Sequence, residues 1–142
     1  MRGEEFLFAA EKFLKIPSEA AYRSAVSRGY YAVFHCGVEF LSELGFQASI
    51  GPQAHGQFQA RVNNCGVAEF QKLYHILYRL YDRRRLADYN LRNDGFRSQA
   101  TAALWVASAA QAIAIIEDCK KSKVVSQKIG KGIREYEAKL KA

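Results

Sequence analysis

The chain has 142 residues, of which 49% are hydrophobic and only two are proline, and carries a formal net charge of +7 at pH 7. That size suits one domain that buries its own core without a disulfide framework or a structural metal. The three cysteines, Cys36, Cys65 and Cys119, are odd in number and lack Cys-x-x-Cys spacing; they point to a reduced, cytoplasmic protein with inert buried thiols.

Met1-Arg2-Gly3-Glu4-Glu5 is not a basic segment leading into a hydrophobic one, so no signal peptide is expected. Periodicity predicts a first helix from Glu4 to Lys15, with Phe6, Leu7, Ala10, Phe13 and Leu14 on one face. Pro17 breaks it and Ser18 is placed to cap the next. The second helix keeps register through Tyr22, Val26, Tyr30, Val33, Phe34, Phe40, Leu41 and Leu44 until Gly45 stops it. Gly29 and Gly37 inside it each cost about 1 kcal/mol relative to Ala, so a neighbouring helix is expected to come close there. Ser24, Arg28, Tyr31, His35 and Glu39 occupy the opposite side.

A loop over 46–54, a short helix over 55–62 and a break at Asn63-Asn64-Cys65-Gly66 lead to a third long helix from Val67 to Asp88. After a turn over 90–95, a fourth runs from Phe96 to Cys119. Its Ala100, Ala103, Ala107, Ala110 and Ala114 form a stripe that predicts tight packing. A helix apolar nearly all round is central or shared, and a homodimer interface is expected on it. Its apolar run, 101–116, is shorter than a membrane span needs and is interrupted by Ser108 and Gln111, so no membrane role is expected. A last helix, over 126–140, is weakened by Gly130 and Gly132.

The expected architecture is all-α: an up-and-down antiparallel helical bundle of four to five helices over residues 1–119, with a basic C-terminal helix or tail over 120–142. Eight Lys and Arg against Glu135 and Glu137 put six of the seven net charges in that last segment. It suits a polyanion partner or, equally simply, a solvated helix.

The most telling stretch is Arg83-Arg84-Arg85-Leu86-Ala87-Asp88-Tyr89. The stripe Phe70, Leu73, Tyr74, Leu77, Leu80, Tyr81 continues by helical spacing onto Arg84 and Asp88, while Arg83 and Arg85 flank it. A guanidinium and a carboxylate aimed inward lose much of their attraction to desolvation. They form either an ion pair bracing the helix end or a functional site. Arg28 and His35 share one helix face with Tyr31 between them, suited to a phosphate and a proton transfer or simply to an outward polar face. His55 stands near Gly51-Pro52, and His75 falls on an outward side. No Gly-rich phosphate loop, His-Glu-x-x-His or Gly-x-Ser-x-Gly occurs, and the histidines lack metal-ligand spacing. Neither a metal nor a cofactor is expected.

Ser24-Ala25-Val26-Ser27-Arg28-Gly29-Tyr30-Tyr31-Ala32-Val33-Phe34-His35 resembles the second-helix signature of the HEPN superfamily. His55-Gly56-Gln57-Phe58 is similar to its His-x-x-Phe segment, and Arg84-Arg85-Leu86-Ala87-Asp88-Tyr89 to the Arg-x-x-Ala-Asp-Tyr form of a prokaryotic branch. The matches occur in the expected order and span about residues 20–118. The resemblance implies a helical bundle, often dimeric, linked to nucleotides and RNA. Many members are metal-independent ribonucleases of toxin–antitoxin or defence systems, often encoded beside a small nucleotidyltransferase.

The family's ribonuclease motif places a His four to six residues beyond its Arg. Here Tyr89 stands at the fifth position after Arg84. A phenol, with a reference pKa of about 10, is a poorer base at neutral pH than an imidazole at about 6.5. The expectation is a protein that binds a nucleotide, an RNA or a partner through Arg84, Arg85, Asp88, Arg28, Tyr31 and His55, without ribonuclease activity. A ribonuclease toxin is one alternative, with Arg84 on the phosphate and Tyr89 or His35 handling the proton. A ligand-free dimeric interaction subunit is the other.

Overall fold

The structure, a computed structural model describing residues 1–142, is all-helical: α1 (Glu4–Phe13), α2 (Glu19–Glu43), α3 (Gln53–Asn64), α4 (Ala68–Gln71), α5 (Leu73–Tyr89), α6 (Gln99–Lys121) and α7 (Lys123–Leu140). Three helices start by one device. The hydroxyls of Ser18, Ser98 and Ser122 accept hydrogen bonds from the backbone N–H groups of Ala21, Thr101 and Val125 at 3.1, 3.3 and 3.2 Å. Each cap contributes about 1 kcal/mol.

These caps explain two corrected boundaries. Ser98 starts α6 three residues later than expected, and Phe96 is instead buried in the preceding turn. Ser122 starts α7 at Lys123, almost directly after α6. The expected third helix is divided at Lys72 into the single turn α4 and the long α5. Helix α5 stays wound to Tyr89, so Asp88 lies inside it.

The bundle is an antiparallel arrangement around α2, against which α1, α5 and α6 pack. Tyr30, Val33 and Leu41 of α2 share one core with Leu73, Leu77 and Leu80 of α5 and Ile116 of α6. Gly37 is required there, because the Phe58 ring occupies the space of a Cβ. The α6 stripe is corrected: Ala102, Val106, Ala109, Ala112, Ile113 and Ile116 face the core, whereas Ala100, Ala107, Ala110 and Ala114 are exposed and Ala103 is half-buried. At 23 residues, α6 is by length and composition alone long and apolar enough to cross a membrane, and its buried face belongs to the bundle core.

The basic segment is a docked helix. Ile129 and Ile133 of α7 are fully buried in the same core as Tyr30 and Leu77. Arg61 of α3 reaches Glu137 at 3.2 Å and donates to the Gln47 carbonyl at 3.0 Å, tying α7 and the 46–52 loop to α3.

Arg23 anchors the other end. Its Nη1 donates to the carbonyls of Leu86, Ala87 and Asn90, and its Nη2 to those of Leu91 and Asn93, at 2.7–3.4 Å. The carbonyl of Ala87, which α5 leaves unpaired, and those of Leu91 and Asn93 in the following turn are thus satisfied by a buried side chain of α2, which also shares the already paired carbonyls of Leu86 and Asn90. This fixes where α5 ends, and hence where Arg84 and Asp88 stand.

Candidate functional site

Leu73, Leu77, Leu80, Arg84 and Ala87 form the buried stripe of α5, so Arg84 is carried inward by the same periodicity as its leucines. It is 5% exposed. Its Nε is buried without a hydrogen-bond partner, and Nη1 lies 3.9 Å from Asp88 Oδ2, too far for a hydrogen bond. What surrounds it is aromatic. The guanidinium carbon lies 5.1, 5.4, 5.5 and 6.0 Å from the ring centres of Tyr81, Tyr30, Tyr31 and Tyr89. Cation–π attraction offsets part of the desolvation cost without supplying hydrogen bonds.

The expected Arg84–Asp88 ion pair is present at 3.9 Å, but the carboxylate does not point inward. The Asp88 side chain is 30% exposed and stands at the rim, where Oδ2 accepts from the Ser27 hydroxyl at 3.1 Å.

His55 comes from the first turn of α3 and enters the same aromatic box. Its ring lies 4.6 Å from Phe34, 5.6 Å from both Tyr30 and Tyr81, and 6.1 Å from Tyr31. The Tyr30 hydroxyl and His55 Nδ1 are 2.6 Å apart, a hydrogen bond whose direction follows the imidazole tautomer. Burial lowers the His55 pKa below 6.5, and the Arg84 cation and then His35 lower it further. Burial pushes the Tyr30 phenol well above its ordinary value. At neutral pH the pair is uncharged and Arg84 is the cation at the centre of the site.

Tyr31 joins this box to a second group. Arg28 lies 5.0 Å over the Tyr31 ring and 5.2 Å over Phe6 of α1. His35 stacks on Phe6 at 5.3 Å and 17°. Its pKa is lowered, first by burial and then by Arg28, with Glu39 opposing. Arg84, Asp88, His55, Tyr31, Arg28 and His35 are therefore contiguous, although they come from three segments of the chain. Two expected residues lie outside. Arg85 is exposed, over Tyr81 at 5.8 Å. Tyr89 is 76% exposed and touches Arg84 only at the edge. Both line a groove of about 600 Å3 with Asp82, Leu86 and Asn90. His75 is exposed.

Ser27, Tyr30, Tyr81, Phe34 and Phe6 were not expected in the site. Tyr30 and Tyr81 sit on apolar stripes and read as core. The available signal was chemical: a buried tyrosine hydroxyl needs a polar partner, and His55 is that partner.

Other features carry less chemistry. A groove of about 470 Å3 between α5 and α6 holds Trp105 under Arg79 and Arg83 but no acid or base. Cys36, Cys65 and Cys119 are buried; burial pushes the Cys36 thiol up to about 12 and Cys119 up to about 11, so these thiols are unreactive. No three His, Cys, Asp or Glu side chains gather as a metal-binding group. Compared with known proteins, the chain matches no family model, no curated protein and no solved structure.

Proposed function

We propose that the chain is a HEPN-like protein that binds a phosphate of a nucleotide or RNA at Arg84. The observation that carries this reading is the buried Arg84 side chain, whose Nε is enclosed without a hydrogen-bond partner. A buried guanidinium that faces ring surfaces and one carboxylate at 3.9 Å, with no side-chain or backbone hydrogen bond, has unused donors, and a phosphate accepts two of them in parallel. His55, its pKa lowered, adds a hydrogen-bonding group beside the guanidinium. The resemblance of Arg84 to Tyr89, and of the stretch around Arg28, to HEPN signatures supports the same ligand class. The outward face of α6, where Leu104 is 71% exposed, is the surface for a second copy. A small nucleotidyltransferase partner and a toxin–antitoxin or defence role belong to this reading through the resemblance alone.

The test is a fluorescence-anisotropy titration of a labelled ten-nucleotide single-stranded RNA at two salt concentrations. Binding is expected to weaken with salt, and Arg84→Gln to lose at least about tenfold in affinity, or roughly 1.4 kcal/mol. Equal binding by Arg84→Gln would refute the reading.

A second reading, metal-independent RNA cleavage, is favoured by His55 beside Arg84, which supplies the imidazole that Tyr89 replaces in the family motif. Here the ribose 2′-oxygen attacks phosphorus, its proton passes to His55, and the P–O5′ bond breaks with protonation of the 5′-oxygen by solvent. Arg84 neutralises the charge that builds on the phosphate. Cleavage in the presence of a chelator, abolished by His55→Gln, would establish it over binding alone. Intact RNA after prolonged incubation would leave the first reading standing.

A further inference from the structure

By helical spacing Ile76, Arg79 and Arg83 share one face of α5, whereas Tyr81, Arg84 and Asp88 share another. The first face looks onto α6 across the groove of about 470 Å3 that also holds Trp105. From what lines this groove, and independently of the reading at Arg84, we propose that it binds a small aromatic carboxylic acid. Arg83 and Arg79 hold the carboxylate, and Ile76, Leu104 and Trp105 pack against the rings.

The cations fix the sign of the ligand. The guanidinium carbons of Arg83 and Arg79 lie 4.8 and 5.7 Å from the centre of the Trp105 ring. The ion pairs of the chain use neither arginine, and none of the nine residues lining the groove is acidic. Arg83 is half-buried and held from two sides. The indole lies against it on one side. On another, a Cβ at Gly95 would stand 3.3 Å from its Nη1, so the glycine lets the turn before α6 pass close to the guanidinium. A cation already positioned by its neighbours loses little freedom when an anion arrives. Its planar fork matches the two oxygens of a carboxylate. Arg79, one helical turn earlier, adds a second positive charge on the same side.

The remaining lining fixes the body of the ligand. The α6 wall carries no charge: Thr101, Ser108 and Gln111 offer two hydroxyls and an amide, and the Ser108 hydroxyl already donates to the Leu104 carbonyl at 3.0 Å. The ligand therefore has one anionic end and an uncharged body. From Thr101 to Gln111 this wall runs about 15 Å, and the volume falls within the roughly 300–1,000 Å3 of small-molecule sites. Two linked rings and a carboxylate fit that length. Rings gain more than an alkyl chain beside an indole and two guanidinium planes. Leu104 stands at the seam between this groove and the outward alanines of α6, so its exposed side chain closes the apolar end.

Trp105 is the chain's one tryptophan, so its fluorescence, excited beyond the tyrosine band, reports on this groove. The probes are 4-biphenylacetate, its uncharged primary amide, 5′-AMP and inorganic phosphate. 4-Biphenylacetate is expected to shift the emission saturably with a Kd of about 1 mM or tighter, and the amide to bind at least about tenfold more weakly. Arg83→Gln is expected to weaken the acid about tenfold, while Arg84→Gln leaves it within about twofold of wild type, which separates this groove from the phosphate site. Arg79 is exposed, so Arg79→Gln, with an expected loss of roughly threefold or more, keeps the test decisive if Arg83→Gln folds poorly, which circular dichroism would reveal. Equal binding of acid and amide, the lack of any saturable shift, or wild-type affinity in both arginine variants would overturn the proposal. A tighter response to AMP or phosphate than to the acid, persisting in Arg84→Gln, would make the groove a phosphate site and overturn it as well.

Discussion

Arg23 and Arg84 are both buried arginines, and they differ in what their N–H groups meet. Both leave a buried Nε without a partner, but the Nη atoms of Arg23 donate to five backbone carbonyls, whereas Arg84 donates to none. Removing Arg23 orphans the carbonyls of Ala87, Leu91 and Asn93, so Arg23→Ala is expected to cost about 3–5 kcal/mol in a urea or thermal unfolding experiment. Arg84→Gln removes a charge that is desolvated and poorly compensated, and the lost ring contacts are offset by the relieved desolvation. It is expected to stay within about 1 kcal/mol of wild type. A loss comparable to that of Arg23→Ala would make Arg84 a brace for the bundle. The helical spacing made the inward direction of Arg84 legible, because leucines precede it at the same register. The Tyr30–His55 bond was not legible, because its partners are 25 residues apart on different helices.

Also at this scale, His55 and His35 have pKa values lowered in the folded chain, with burial the largest cause in each. The unfolded chain therefore takes up protons first as pH falls through 6.5, and stability declines from there until the folded histidines also protonate. The melting temperature is expected to be level from pH 8 to 7 and to fall between pH 6.5 and 5, with a flatter profile in a His35→Gln, His55→Gln variant. Glu4, with a pKa below 4.5, adds its own loss only at lower pH. A bound phosphate opposes the lowering of the His55 pKa, so ligand binding takes up a proton. RNA affinity should rise from pH 7 to 6 even as the free protein weakens; a fall would contradict this placement of His55.

At the scale of elements, α6 shows where periodicity stops being informative. The set Ala100, Ala103, Ala107, Ala110, Ala114 and the set Ala102, Val106, Ala109, Ile113, Ile116 both obey helical spacing. Both are apolar, so the pattern alone does not say which faces inward. The bulkier set wins, because it fills more volume against α2, and the alanines are left outside. That outward face is small and apolar around Leu104, and it suits a second copy of the chain. Multi-angle light scattering is expected to give a dimer at tens of micromolar, reduced to a monomer by Leu104→Glu, whose charge would be buried in the interface. A wild-type monomer would remove the dimer from the account.

Across the whole molecule, the helical class and the antiparallel bundle were legible because nearly every segment carries a 3.6-residue apolar period and a serine or glycine boundary. The docking of α7 was not. Its basic composition dominates the segment, and only Ile129 and Ile133 betray the buried side. The site was half legible for the same reason: each arginine and histidine could be placed on a helix face, but three helices had to be assembled before Tyr31 was seen to join them. The fold thus brings one cation to its centre, surrounds it with tyrosines and leaves its donors unused.

That vacancy of partners is open to direct observation. The Arg84 Nε–H resonance in a proton–nitrogen correlation spectrum, assigned by its absence in Arg84→Lys, reports on what this donor meets. Titration with 5′-AMP is predicted to shift it saturably while the corresponding Arg23 resonance stays in place. An Arg84 resonance that does not move, under conditions where AMP is bound, would mean that the phosphate is held elsewhere.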